Sequence, residues 1–134
     1  MGQQQLLLIV LGVIIVGIAI VVGINLFNAN AEESTKDTIV SEGTNIGALA
    51  QQFYKKPKAL GGGGNTFSTG GQSNTGFVIP TTLQNTPSAI WSETTKDSAK
   101  YVATGKPTDA DYVKRWKVTV TVTPNSITSV VANP

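Results

Sequence analysis

The chain has 134 residues, ten basic and eight acidic side chains, a net charge of +2, and neither cysteine nor histidine. The missing cysteine excludes disulfides, thiolate metal sites and a cysteine nucleophile, and the missing histidine removes the commonest general base and metal ligand. The small net charge does not indicate an acidic partner. We therefore expect no enzyme, no cofactor and no metal site.

The N-terminal part of the chain is uncharged and apolar. The first 31 residues carry no charged side chain, and residues 6–24 are nineteen consecutive apolar positions. At about 1.5 Å rise per residue, a helix over them spans roughly 28 Å, close to the hydrocarbon thickness of a bilayer. Residues 1–31 are therefore predicted to form a hydrophobic helix that contacts lipid, other copies of itself, or both.

This segment has two simple interpretations: a signal peptide that is cleaved off, or a permanent membrane anchor. Ala29, Asn30 and Ala31 have the A-x-A pattern of a signal-peptidase site, which would release a secreted domain after cleavage at Ala31. Signal peptides, however, have a positively charged start and an apolar core of about 7–15 residues, and this chain has neither. The segment also fits a single-span anchor for a surface or adhesion domain.

A third interpretation follows from the residues after the apolar segment, where the helical pattern continues. Small and apolar residues recur at helical spacing between charged and polar positions. They are Ile39, Gly43, Ile46, Gly47, Ala50 and Phe53. Pro57 and the four glycines that begin at Gly61 end the pattern. We predict one helix from near residue 3 to about residue 55, with residues 32–60 as its amphipathic continuation.

The C-terminal part of the chain has strand patterns. Residues 61–76 hold seven glycines and are predicted to form a long polar loop. Within residues 77–134, short apolar stretches occur at 77–79, 89–91 and 101–103. The strongest signal is a strict alternation, followed by a turn at 123–126 and a returning strand at 127–131. It places Trp116, Val118, Val120 and Val122 on one face.

These elements have matching needs for burial. A helix with one apolar stripe and a sheet with one apolar face can cover each other. We expect Ile39, Ile46 and Phe53 of the helix to pack on the face formed by the alternating strand. The predicted fold class is α+β, with a long N-terminal helix packed on a three- to four-stranded antiparallel sheet.

This architecture resembles the type IV pilin family, in which a long N-terminal helix is half membrane-inserted and half packed on a small sheet. Pilin precursors are cleaved after a glycine that directly precedes the hydrophobic helix, and the resemblance implies that Gly2 is this processing position. Pilins of the common bacterial type carry a glutamate at the fifth mature position. Here that position is Leu7 if Gln3 is the mature N-terminus, or Gln5 if Met1 is. The resemblance is therefore to a divergent branch that lacks this glutamate.

The resemblance implies a structural subunit. A precursor inserted in the plasma membrane would be assembled, by machinery acting in trans, into an extracellular homopolymer at the cell surface. Identical subunits related by a screw operation form an open helical filament. Its apolar core would be formed by Leu6, Leu7, Leu8, Ile9, Leu11, Ile14, Ile15, Ile18, Val21, Val22, Ile24 and Phe27.

Two charged motifs have simpler interpretations. Aromatic and basic residues interleave from Tyr112 to Lys117, as in single-strand nucleic-acid sites, but Trp116 is better explained as a core position, and we expect no nucleic acid partner. Asp109 and Asp111 lie in a turn sequence, which favours a turn over a metal site.

Four acidic residues, Glu32, Glu33, Asp37 and Glu42, form a cluster after the apolar segment.

Overall fold

The computed structural model describes residues 2–71 and 74–134, and Met1, Gln72 and Ser73 lie outside the described residues. The chain divides into two compact units, of which the first ends at Ser34 and the second is Thr35–Pro134. We call the second unit the head. The predicted α+β fold is confirmed, because a long N-terminal helix is packed against a small four-stranded antiparallel sheet.

The helix α1 spans Gly2–Lys55, which agrees with the predicted bounds. Lys56 still donates its backbone N–H to the carbonyl oxygen of Gln52 at 3.0 Å. Pro57 has no N–H to donate, so the helical hydrogen-bond ladder stops there. A short 3-10 helix follows at Lys58–Leu60.

The described part of the glycine-rich loop is bound to the end of α1. Gly63 donates its backbone N–H to Phe53 O at 2.8 Å, and Asn65 donates to Tyr54 O at 2.8 Å. Carbonyl groups in the last turn of a helix have no partner within the helix, and these loop amides supply one. The loop thereby caps the C-terminus of α1.

The sheet is a meander in which neighbours along the chain are neighbours in space. Its strands are β1 (Ala89–Lys96), β2 (Tyr101–Pro107), β3 (Lys117–Val122) and β4 (Ile127–Ala132). They pair in the order β1-β2-β3-β4, and each pair is antiparallel. The turn between β3 and β4 lies where the sequence predicts it. β1 and β4 are consequently the two edge strands.

The core of the head lies between the sheet and the part of α1 that follows Thr35. Ile39 and Ile46 of α1 have no exposed surface, and neither do Val118, Val120 and Val122 of β3. The residues of β3 that alternate with these valines are half-buried, as the predicted alternation requires. Trp116 is buried in the same cluster, and Phe53 is partly buried against it.

The prediction of a strand at residues 77–79 is wrong. Phe77 and Ile79 are buried and Val78 is exposed, so the side chains alternate, but the backbone pairs with no strand among the described residues. The N–H of Ile79 is instead 3.4 Å from a carboxylate oxygen of Glu93. Pro80 ends the segment and precedes the short helix α2 (Thr81–Gln84). Proline lacks the donor that a further ladder step would need.

Candidate assembly surface

The apolar side chains assigned to the filament core are all exposed in the monomer. Their exposed fractions run from 51% at Val22 to 78% at Phe27. Successive residues of a helix differ by about 100° in direction, so residues 6–27 present apolar groups on every side and not in one stripe. Among the described residues, α1 is the one helix long and apolar enough to cross a membrane. We call residues 6–27 the apolar segment.

Small residues within the apolar segment meet no obstacle from the chain itself. Beyond the adjacent residues and the backbone of the same helical turns, a Cβ atom built at Gly12, Gly17 or Gly23 has no heavy atom of the described residues within 4 Å. Each of these glycines weakens an isolated helix by about 1 kcal/mol relative to alanine. Any packing reason for them must therefore come from lipid or from another molecule.

The two candidate cleavage positions both lie in α1. Gly2, the processing position implied by the resemblance, is the first residue of the helix, and beyond its adjacent residues and the local helix backbone a Cβ built on it meets no described atom within 4 Å. Ala29, Asn30 and Ala31, which have the signal-peptidase pattern, lie inside the same helix. The structure thus places the A-x-A pattern in a region of regular α-helix.

The glycines at 43 and 47 have a different role, which is close packing of α1 on the sheet. A Cβ built at Gly43 would collide with Val120 Cγ2 and would lie 2.7 Å from the Trp91 ring. At Gly47 it would lie 2.9 Å from Ile127 Cγ2. The two small residues one helical turn apart therefore serve helix–sheet contact within the head.

Glu42 forms a polar contact that sequence reasoning missed. Its carboxylate accepts a hydrogen bond from Trp91 Nε1 at 3.2 Å and one from Thr86 Oγ1 at 3.0 Å. We grouped Glu42 with the acidic cluster, but it lies three residues after Ile39 and next to Gly43, beside the buried stripe. This sequence position, beside the buried stripe, is the signal from which the contact could be predicted. Hydrogen bonds to a charged group are stronger than neutral ones, so Glu42 fixes the indole of Trp91.

Aromatic rings fill the end of the core near the glycine-rich loop. Phe77 packs edge-on against Tyr101, with ring centroids 5.0 Å apart, and Phe53 lies 5.7 Å from Phe77. The Tyr101 hydroxyl is buried and has no hydrogen-bond partner within the described residues. Burial, followed by the nearby negative charge of Glu93, raises the pKa of Tyr101 well above its usual value. The phenol therefore stays neutral to a higher pH than that of an exposed tyrosine.

The interleaved aromatic and basic residues are part of the packing of the head. Tyr112 stacks on Trp116 with ring centroids 5.7 Å apart. Lys36 Nζ lies 5.5 Å from the centroid of the Trp116 ring, and Arg115 lies 5.3 Å from that of Tyr112. Cation–π contacts of this kind stabilise by about 0.5–1 kcal/mol at exposed sites. The motif therefore has a structural role between α1 and the segment before β3.

The acidic pair at 109 and 111 forms a turn. Asp109 Oδ1 accepts the backbone N–H of Asp111 at 2.8 Å, which is the Asx-turn geometry expected for this sequence. Within residues 2–71 and 74–134, no three histidine, cysteine, aspartate or glutamate side chains are grouped to hold a metal ion.

Comparisons of the chain with protein-family models, with curated proteins and with solved structures gave no match.

Proposed function

We propose that this chain is a structural subunit that polymerises through its apolar segment into an extracellular, type IV pilus-like filament. The observation that carries the proposal is that the two parts of α1 differ in exposure. Residues 6–27 are exposed and apolar on all sides, whereas Ile39, Ile46 and Ala50 of the same helix are buried within the head. One helix thus contains both a surface that needs an apolar environment and residues that belong to the core of a folded domain.

The free energy of burial favours a polymer core once the segment leaves lipid. Complete burial of one leucine or isoleucine side chain is favourable by about 1.5–3 kcal/mol relative to exposure to water. A filament in which the apolar segments of neighbouring copies pack together keeps these side chains out of water. Before assembly, the bilayer has the same role, since a helix satisfies its own backbone hydrogen bonds in lipid.

The proposal includes processing after Gly2 and assembly by machinery in trans. The mature helix would begin at Gln3, and neither Gln3 nor the following residues through Ala31 carry a charged side chain. The N-terminal contacts between subunits would then depend on apolar packing and on the amides of Gln3, Gln4 and Gln5, without a glutamate at the fifth position.

Shearing of the producing cells tests the proposal. The high-molecular-weight sheared fraction is collected, and the intact mass and N-terminal residue of the protein are measured. A chain that starts at Gln3 or Met1 in polymeric material supports a filament subunit. A chain that starts at Glu32 in the soluble fraction would show a secreted domain, and a monomer found only in the membrane fraction would show a single-span anchored domain. Either result would contradict the proposal.

A further inference from the structure

The proposed cleavage after Gly2 creates a positive charge at the start of an otherwise uncharged segment. The new N-terminus is the α-amino group of Gln3, which is protonated at neutral pH. No charged side chain occurs from there through Ala31, and the first turn of α1 has no acidic residue. Glu32, the first carboxylate of the chain, is roughly 44 Å farther along the helix. Residues 3–31 therefore contain no counter-charge for this ammonium group.

The position of this charge makes it unfavourable in the proposed filament. A helix N-terminus has a partial positive charge of its own, so an added cation there destabilises the helix. The exposed apolar side chains begin at Leu6, within one helical turn of Gln3. Transfer of an unpaired ammonium group from water into an apolar polymer core is strongly unfavourable. A filament core built from the apolar segment therefore favours an N-terminus that carries no charge.

Glutamine at the new N-terminus has a side chain that can remove this charge. Its amide carbon Cδ lies within reach of its own α-amino nitrogen, and ring closure gives an unstrained five-membered lactam. An intramolecular attack of this kind has a high effective concentration of the nucleophile. Gln4 and Gln5 cannot react in this way, because their backbone nitrogens are part of peptide bonds. Of the three glutamines, Gln3 is therefore the one that can cyclise.

We propose that Gln3 of the mature chain is converted to pyroglutamate, an inference that rests on the proposed cleavage after Gly2. The unprotonated α-amino nitrogen attacks Cδ, the bond from Cδ to Nε2 breaks, and ammonia leaves with a proton from the attacking nitrogen. The step needs no oxidant, reductant or second substrate. The product is a neutral lactam with one N–H donor and one new carbonyl acceptor. The mature chain then carries no charge from its N-terminus through Ala31.

The local structure of α1 accommodates the lactam. Gln3 lies in the first turn of the helix, and its side chain is exposed. The first four backbone N–H groups of an α-helix have no acceptor within the helix, so ring closure at the nitrogen of Gln3 breaks no helical hydrogen bond. Proline, whose ring also joins the side chain to the backbone nitrogen, is favoured at the first helical position. Cyclisation is therefore compatible with a helix that begins at Gln3.

The intact mass of the subunit in the sheared, high-molecular-weight fraction tests the proposal. A chain with the lactam is lighter than one with free Gln3 by one ammonia, about 17 Da. We expect at least tenfold more lactam than free Gln3, and an N-terminus that Edman degradation reads only after pyroglutamyl aminopeptidase has exposed Gln4. An isotope-labelled peptide of residues 3–10, added in detergent before shearing, corrects for cyclisation during handling. A polymer whose subunits keep a free Gln3 would overturn the proposal.

The mass measurement separates this inference from the proposed function. Free Gln3 in a polymer overturns the lactam and leaves the filament standing. A polymer of chains that start at Met1 contradicts the cleavage, and the lactam with it, but not the filament. A monomer that carries the lactam and occurs only in the membrane fraction supports the lactam and contradicts the filament.

Two matched variants test whether removal of the charge aids assembly. Gln3→Asn keeps a side-chain amide but would have to close a strained four-membered ring, so its ammonium group remains. Gln52→Asn makes the same change at an exposed position of α1 within the head. We expect at least tenfold less polymer from Gln3→Asn than from Gln52→Asn in the sheared fraction. The mass of the membrane-bound chain verifies cleavage after Gly2, and Gln3→Ala replaces Gln3→Asn if that cleavage fails. Equal polymer yields from cleaved chains would overturn this role of the lactam.

Discussion

Gly43→Ala is expected to destabilise the head, whereas Gly47→Ala is expected to be nearly neutral. Both glycines lie in the buried face of α1, and both substitutions raise helix propensity equally. The difference is the neighbour. The new methyl group at position 43 meets the Trp91 ring and Val120, and that at position 47 meets Cγ2, Cδ1 and Cγ1 of Ile127 alone.

The magnitude follows from how firmly each neighbour is held. The Trp91 ring is hydrogen-bonded to Glu42 at 3.2 Å and lies against Gly105, where a Cβ would be 2.8 Å from it. The ring is therefore confined between Gly43 and Gly105, and overpacking against it costs about 1–3 kcal/mol. Replacing glycine in a helix returns about 1 kcal/mol. Gly43→Ala therefore loses up to about 2 kcal/mol. Ile127 is only partly buried and lies at the start of an edge strand, so it gives way to the new methyl group at position 47 at lower cost.

Urea unfolding of the full chain in detergent micelles, followed by Trp fluorescence, measures the two free energies of unfolding. We expect Gly43→Ala to be less stable than Gly47→Ala by up to about 2 kcal/mol and to alter the near-ultraviolet circular dichroism of Trp91. Equal stabilities, or a more stable Gly43→Ala variant, would refute the packing of α1 on the sheet as we describe it.

Three further predictions concern the apolar segment, a buried phenol and a partly buried carboxylate. Ile14→Lys places a charge in the apolar segment at a cost of about 2.5–3.5 kcal/mol in a bilayer centre, so the variant should be lost from membrane and sheared fractions, whereas Ile14→Leu should behave as the parent. Because the pKa of Tyr101 is raised in the folded state, the unfolded chain loses this proton first as the pH rises. The free energy of unfolding should therefore fall by up to about 1.4 kcal/mol per pH unit above about pH 10. In urea unfolding at a series of pH values, Tyr101→Phe should show a smaller fall, and a slope identical to that of the parent would contradict the burial. Glu42→Ala leaves the Trp91 N–H without its acceptor and should cost about 1.5–3 kcal/mol in the same assay, while Glu33→Ala, on an exposed residue, should cost under about 0.5 kcal/mol.

Period-based patterns predicted the larger elements because their burial is one-sided. The alternation from Trp116 to Val122 determined one face of β3, and the helical spacing from Ile39 to Ala50 determined the buried stripe of α1. Pro57 determined where α1 ends. Each of these signals depends on local chemistry and needs no knowledge of the partner element.

The remaining features depend on tertiary contacts that no local pattern records. Residues 77–79 alternate as a strand does, but Pro80 and the Glu93 carboxylate give their backbone other partners. β2 continues to Pro107, although Gly105 and Pro107 weaken the strand pattern in the sequence. The glycine at position 105 provides room for the Trp91 ring, which only the tertiary structure shows. The contact of Glu42 with Trp91 joins residues far apart in the sequence. The position of β4 at the edge of the sheet likewise appears only once the order of the strands is known.

Electron cryomicroscopy of the sheared, high-molecular-weight fraction tests the central claim most directly. The account predicts a helical polymer with ordered α-helical density through Leu6, in which the apolar segments of many copies pack at the filament axis and the heads face outward. Sheared material without a polymer of this chain, together with a monomeric protein in detergent extracts of the membrane, would contradict it.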